Sequence, residues 1–270
     1  MLIAQLSDLH VRPKGVLYQG LVDSNAMAEA AIRHLGELFP APDLVIVSGD
    51  LVDEGTPAEY AVVREMLAAI RQPLLLIPGN HDEREAFRQT FAPAGYLPDA
   101  GPLHFVAADH GSVRVIGLDV TVPGAHHGLF DDAAADWLTD ALARDPDRPT
   151  IIMMHQPPFS SGIPFIDTYR CRGADRLASI MRGFPAIERV VCGHVHRFMQ
   201  LRFAGTMLCT APSTTTAIAL RLATDAKPAS YVEPAALLLH DWQPARGLVT
   251  HYVPIGAFPG PLPFAGRAAG

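Results

Sequence analysis

Eight polar residues of this chain stand where apolar runs end, and their types suit metal chemistry. Asp8 and His10 follow the run Leu2 to Leu6, and Asp50 follows Leu44-Val45-Ile46-Val47. Asn80 and His81 follow Leu74-Leu75-Leu76-Ile77, His155 follows Ile151 to Met154, and His194 and His196 follow Arg189-Val190-Val191-Cys192. Carboxylates, an amide oxygen and imidazoles suit borderline divalent ions such as Fe, Mn, Zn or Co. No cysteine stands among them, which disfavours a structural zinc site. A single Asp after a strand is ordinarily a turn or cap residue. Five strands of one sheet that all end in oxygen or imidazole ligands exceed what capping needs, and the carboxyl edge of an open α/β sheet is where ligands bind.

The charge balance points to a phosphoester. Two divalent cations held by two carboxylates, a neutral Asn80 and neutral imidazoles keep a positive excess even with a hydroxide bound. That excess suits a singly charged phosphodiester. Paired metals hold the phosphoryl oxygens and lower the pKa of a bound water, so that hydroxide attacks phosphorus in line with the leaving group. A departing alkoxide needs a proton donor or a metal contact. Asp82 is read either as the residue that orients His81 or as the cap of the next helix, and Gly79 as the residue that allows a sharp exit from its strand.

The elements that must position these groups alternate strand and helix over the front of the chain. After the first strand and a loop to Val22, Asp23 or Ser24 caps a helix with Ala28, Ala31, Ile32 and Leu35 near helical spacing. Thr56-Pro57-Ala58-Glu59 combines a capping box with Pro at the first helical position. Short helices are expected from about Glu83 to Phe91, after Asp131 or Asp132, and around Ala174 to Met181. Phe105 to Ala108 and Val113 to Leu118 read as a hairpin pair, and from Gly205 onward the runs are strand-like without helices. The pattern predicts an α/β fold, a layered α/β/β/α sandwich with central mixed sheets flanked by helices and the metal site at the carboxyl ends of the strands. Residues 1–204 form its core, and residues 205–270 a strand-rich segment that completes the sheet or forms a subunit interface. Pro259 to Gly270 read as a loosely held tail.

Composition narrows the function classes. A formal charge of −7, with Lys14 and Lys227 the only lysines, argues against a surface that tracks duplex nucleic acid. No apolar run approaches the roughly 18 residues of a membrane helix. Met1 leads straight into a strand and then into Asp8-x-His10, so the sequence reads as lacking a signal peptide and the protein as cytoplasmic. Cys192 and Cys209 lie in apolar runs and read as core residues; with Cys171 they are too few and too scattered for a disulfide framework. Asp119 is expected to have a structural hydrogen-bonding role. His126 and His127 read as exposed loop residues, and His34, His104, His110, His240 and His251 as structural or solvated. Asp53 and Glu54 are open between support of the site and a solvated turn. The loop Gln156 to Cys171, with Phe159, Ile163, Phe165 and Tyr169, is open between substrate selection and self-packing.

Asp8-x-His10, Gly49-Asp50, Gly79-Asn80-His81-Asp82, His155 and Gly193-His194-Val195-His196, in this order, resemble the calcineurin-like metallophosphoesterase family. Within it the chain looks most like bacterial glycerophosphodiesterases and class III cyclic-nucleotide phosphodiesterases, which also share a stretch like Tyr18 to Ala26. The resemblance implies that Asp8, His10 and His196 bind one metal, that Asn80, His155 and His194 bind the second, and that Asp50 bridges them. Asn80, His81 and His194 would face the substrate, with His81 off the metals as the candidate general acid or hydrogen-bond donor to the phosphoryl group. Many relatives carry a second His where this chain has Gln156. The implied function is a dinuclear-metal phosphodiesterase acting on small diesters, a glycerophosphodiester or related alkyl or aryl diester first and a 3',5'-cyclic nucleotide second. A nuclease and a non-catalytic scaffold rank lower, and the family's habit implies a homodimer or higher homo-oligomer.

Overall fold

Leu44-Val45-Ile46-Val47 is buried along its whole length, which requires cover on both faces of its sheet. The computed structural model, which describes residues 1–263, supplies that cover. Its first half runs β1 (Leu2–Leu6), α1 (Ser24–Gly36), β2 (Leu44–Ser48), α2 (Pro57–Leu67), β3 (Leu74–Ile77), α3 (Arg84–Phe91), β4 (Phe105–Ala107), β5 (Arg114–Gly117) and α4 (Asp132–Ala143). Its second half runs β6 (Thr150–Met153), α5 (Pro164–Asp167), α6 (Ala174–Arg182), β7 (Ile187–Cys192), β8 (Met199–Phe203), β9 (Thr206–Thr210), β10 (Ala217–Ile218), β11 (Ser230–Tyr231), β12 (Ala236–Gln243) and β13 (Gly247–Pro254).

Two mixed sheets result, one in the order β13-β12-β1-β2-β3 and one in the order β4-β5-β6-β7-β9-β8. The strand period of two assigns their faces. Ile3, Leu44, Ile46 and Leu75 meet Val115, Ile151, Met153 and Val191 of the other sheet in a shared central core. Ala4, Val45, Val47 and Leu76 turn the opposite way onto Ala31, Leu35, Tyr60 and Phe87 from α1, α2 and α3. The second sheet likewise buries Ile116, Ile152 and Val190 under Leu138, Leu142 and Leu177 from α4 and α6. The layers are therefore α/β/β/α.

Local chemistry fixes the helix starts. Asp23 caps α1 through Ala26 N–H, Thr56 and Glu59 form the reciprocal capping box of α2, and Asp131 caps α4. The segment after Gly205 is woven into both sheets: β9 lies parallel to β7, and β12 pairs antiparallel with β1, with Leu2 opposite Asp241. The hairpin strand β8 lies outside the sequence expectation, because its alternation of half-buried and exposed residues is that of an edge strand. Of the expected tail, residues 264–270 lie outside the described residues. No helix among the described residues is long and apolar enough to cross a membrane.

Candidate metal centre

The loops that leave β1, β2, β3, β6 and β7 meet at one rim of the sandwich. They do not belong to one sheet, as the sequence suggested. Three come from the first sheet and two from the second, so the site lies where the carboxyl edges of two facing sheets converge. Buried strands of either sheet carry the same apolar signature, which is why the partition was hidden. Backbone bonds align the loops after β1 and β2: Asp8 N–H donates to the Gly49 carbonyl at 3.1 Å, and His10 N–H to the Asp50 carbonyl at 3.0 Å.

Five site residues adopt left-handed backbone conformations, with φ of 55° at Asp8, 45° at His10, 52° at Asp50, 71° at His194 and 54° at His196. Each costs of order 1–3 kcal/mol outside glycine and persists only where its surroundings hold it. Backbone amides do part of that holding. His194 N–H donates to Asp8 Oδ1 at 3.0 Å, and His81 N–H to Asp50 Oδ1 at 2.9 Å. The loops also approach so closely that a Cβ on Gly193 would lie 2.1 Å from Ser7 Oγ, and one on Gly79 would lie 2.2 Å from Asp50 Oδ1. Gly79 thus permits the approach of Asp50. Its own backbone is not left-handed, although a turn starts there, with Asp82 N–H donating to the Gly79 carbonyl at 3.2 Å.

The donor atoms form two buried groups that share one carboxylate: Asp8, His10, Asp50 and His196, and Asp50, His155 and His194. His10 Nε2 stands 3.0 Å from His196 Nε2, His196 Nε2 stands 3.4 Å from Asp8 Oδ1, and His155 Nε2 stands 3.1 Å from Asp50 Oδ2. Ligand atoms each about 2.1 Å from one cation lie about 3.0–3.4 Å from one another, so the spacing is that of a coordination shell. The far ring nitrogens are anchored, His155 Nδ1 on the Ser48 carbonyl at 2.7 Å and His196 Nδ1 on the Thr216 carbonyl at 2.8 Å. This fixes the protons on Nδ1 and turns the Nε2 lone pairs inward. His155 Nε2, His194 Nε2 and Asn80 Oδ1 are buried without any hydrogen-bond partner. A native fold rarely leaves such atoms orphaned unless something else satisfies them. The residues fit a pair of divalent cations.

Electrostatics agrees with the geometry. Burial works against the Asp50 carboxylate, but His155, His81 and His10 around it hold its pKa well below the usual range. Burial also pushes His155 and His81 down, yet Asp50 and its neighbours overcome that and raise them to about 9 and about 10. A cluster that binds protons this tightly has an excess of negative charge facing inward. His194 and His196 are pushed down by burial first, with neighbouring imidazoles adding to it against the opposing pull of Asp50 on His194 and of Asp8 on His196.

His81 takes part in neither shared group. Its Nδ1 lies 2.7 Å from the Asp53 carbonyl and 3.4 Å from Asp53 Oδ1. Asp53, whose carboxylate also faces His10 Nδ1 at 3.5 Å and Arg12 Nη1 at 3.0 Å, is therefore a support of the site rather than a solvated turn. Asp82 neither orients His81 nor caps α3. Its carboxyl accepts from Gly79 N–H at 2.8 Å, Leu51 N–H at 3.1 Å and the Tyr60 hydroxyl at 3.0 Å, while Glu83 caps the helix. Asp119 is structural, bonded to Arg84 Nε and Leu103 N–H at 2.8 Å each. His240 is buried against Gln5 and Thr250, and the three cysteines are free and buried. His126 departs from its expectation: it is exposed, yet its Nδ1 meets Asn80 Nδ2 at 3.1 Å. No local sequence signal could find that contact between two loops.

His10, Asp50, Asn80, His194 and His196 line a cavity of about 400 Å³. Tyr18, stacked on His10 at 4.7 Å, forms one side, and Phe165, Ile166 and Tyr169 from the α5 region form another. Ile218 and Ser230 from β10 and β11 close a third.

Residues 1–198 match the model of the calcineurin-like phosphoesterase family, and the chain belongs to that family. A probable glycerophosphodiester phosphodiesterase of Arcobacter nitrofigilis is 35% identical over 98% of this chain and 97% of its own length. A glycerophosphodiester phosphodiesterase of Enterobacter lignolyticus is 32% identical over 93% and 92%. The 3',5'-cyclic adenosine monophosphate phosphodiesterase of Escherichia coli K12 is 29% identical over 78% and 75%. The fold is shared with a dimetal phosphatase from Danio rerio, at a TM-score of 0.63 and 12% identity over 95% of this chain and 99% of that one.

Proposed function

We propose that the protein is a dinuclear-metal phosphodiesterase that hydrolyses small phosphodiesters, with glycerophosphodiesters and related alkyl or aryl diesters first. The observation that carries this reading is the pair of buried donor groups sharing Asp50, with unpartnered atoms on Asn80 and His194, two residues that line one cavity. Asp8, His10 and His196 would hold one cation and Asn80, His155 and His194 the other, with Asp50 between them. Nitrogen and oxygen donors of this kind suit Fe, Mn, Zn or Co. When bound, such metals neutralise charge on phosphoryl oxygens and lower the pKa of water.

The rest falls to this chain's own side chains. His81 is fixed through Nδ1 by the Asp53 carbonyl, so Nε2 is its free edge toward the cavity, poised to give a proton to the leaving oxygen or a hydrogen bond to the phosphoryl group. Tyr18, Phe165, Ile166 and Tyr169 would exclude water and hold the ester groups. Among the described residues lining the cavity there is no Lys or Arg, which favours a monoanionic diester over a more highly charged phosphate. Relatives named as glycerophosphodiester phosphodiesterases align over 98% and 93% of the chain and the cyclic-nucleotide one over 78%, which supports the order of the two substrate readings.

The test is a kinetic panel on metal-reconstituted enzyme: a glycerophosphodiester, cyclic AMP, a phosphonate monoester and a phosphomonoester, compared by kcat/KM. The diester is expected to lead. Preference for the phosphomonoester would overturn the substrate class, and a loaded enzyme that turns over none of them would point to a scaffold.

A further inference from the structure

Asn80 offers the proposed metal centre an oxygen only if its amide is the right way round. The structure has a device for that outside the family's motifs. Asn80 Nδ2 lies 3.1 Å from His126 Nδ1, while Asn80 Oδ1 is buried and unpartnered. An amide nitrogen has no lone pair with which to accept, so Asn80 donates and His126 Nδ1 accepts, which leaves the ring proton on Nε2. Turning the amide over would face its NH2 group to the donor cluster and would break this bond unless the ring proton moved to Nδ1. With the proton on Nε2, His126 holds the amide in the orientation that presents oxygen.

His126 is itself held from the side of the second cation. Gln156 Nε2 donates to the His126 carbonyl at 3.2 Å, and Gln156 directly follows His155. The Tyr169 ring meets the His126 ring edge-on, with centroids 5.4 Å apart. Asn80 and the residue after His155, both on the side proposed for the second cation, are thus linked through a single loop residue. Among the described contacts, none links His126 to Asp8, His10 or His196.

We propose that His126 is a positioning residue that sets the Asn80 amide and thereby the affinity of one of the two metal sites. The proposal rests on the two-metal reading, and the experiment separates their failures. The full-length protein, stripped of metal, is titrated with Mn²⁺ by calorimetry, with thermal unfolding measured alongside. Wild type should bind two equivalents. His126→Ala should weaken one binding step 10–100-fold, the range for lost support of a ligand, and leave the other step and the metal-free unfolding temperature unchanged. His126→Asn, whose side-chain oxygen can accept at the Nδ1 position, should recover most of the loss. In an Asn80→Ala background, His126→Ala should have no further effect.

Wild-type binding of two equivalents with His126→Ala indistinguishable from it overturns the proposal alone. Equal weakening of both steps, or a loss that persists without Asn80, also overturns it. Fewer than two equivalents bound by wild type overturns the two-metal reading and this proposal together.

Discussion

His81 holds the site in two separable ways. Its backbone N–H supports Asp50 Oδ1, whereas its ring is held away on the Asp53 carbonyl. His81→Ala removes only the ring, so metal content by elemental analysis should stay at two while the rate falls roughly 10²–10⁴-fold, as for a lost acid or base. Metal loss in that variant would sink the assignment of His81 as a non-ligand. Gly79→Ala should do the reverse. Its new Cβ would meet Asp50 Oδ1 at 2.2 Å and Asp50 N at 2.4 Å, so the carboxylate or the loop must move. Overpacking of this kind costs about 1–3 kcal/mol, and here it falls on the carboxylate common to both donor groups. Weakened metal binding and a lower unfolding temperature are expected together; unchanged metal binding would show that the loops yield without moving Asp50. At this scale the donor types were legible because each stands at the end of an apolar run. The tasks of Asp53, Asp82 and His126 were not, because each depends on loops that meet only in the fold, such as the 46-residue separation between Asn80 and His126.

Among the elements, helix starts were the most legible, since the Thr56–Glu59 capping box is a local code. Strand partnership was the least, since nothing local says that β12 will lie against β1. That pairing brings His240 beneath the site, where its Nε2 faces Gln5 Oε1 at 3.0 Å and its Nδ1 faces the Thr250 hydroxyl at 2.9 Å. Gln5 in turn donates to Ser48 Oγ at 2.8 Å, and the Ser48 carbonyl anchors His155. Burial first, and Arg189 and His251 next, depress the pKa of His240 to about 3. The unfolded chain, with a histidine pKa of about 6.5, binds this proton more readily below that pH. His240 therefore contributes its full stability above pH 6.5 and loses it as the pH falls toward 3. By pH 5 the loss should reach about 2 kcal/mol. Urea denaturation at pH 7 and pH 5 should show wild type losing about that much more than His240→Gln, in which the other titrating groups are common and cancel. Parallel losses in the two proteins would mean that His240 is not held neutral.

For the molecule as a whole, the centre is where two sheets are pinned together at a cost. Asp8, His10, Asp50, His194 and His196 sit in left-handed backbone conformations, and buried ring nitrogens lack partners. Cations bound by the folded chain alone would offset both. Binding to the native state adds about 2.7 kcal/mol per site at a free metal concentration a hundredfold above Kd, hence about 5 kcal/mol for two such sites. In a chain of this size each kcal/mol moves the midpoint by about 2–4 °C, so chelation should lower Tm by roughly 10–20 °C. The midpoint should climb with the logarithm of metal concentration. Asp50→Ala should abolish that climb, because its carboxylate is common to both donor groups. Asp53→Asn should preserve it, because Asp53 belongs to neither of the groups that share Asp50. A Tm indifferent to metal in a protein that still binds two equivalents would show that the unfolded chain binds them as well, and that the preformed rim contributes nothing to their capture.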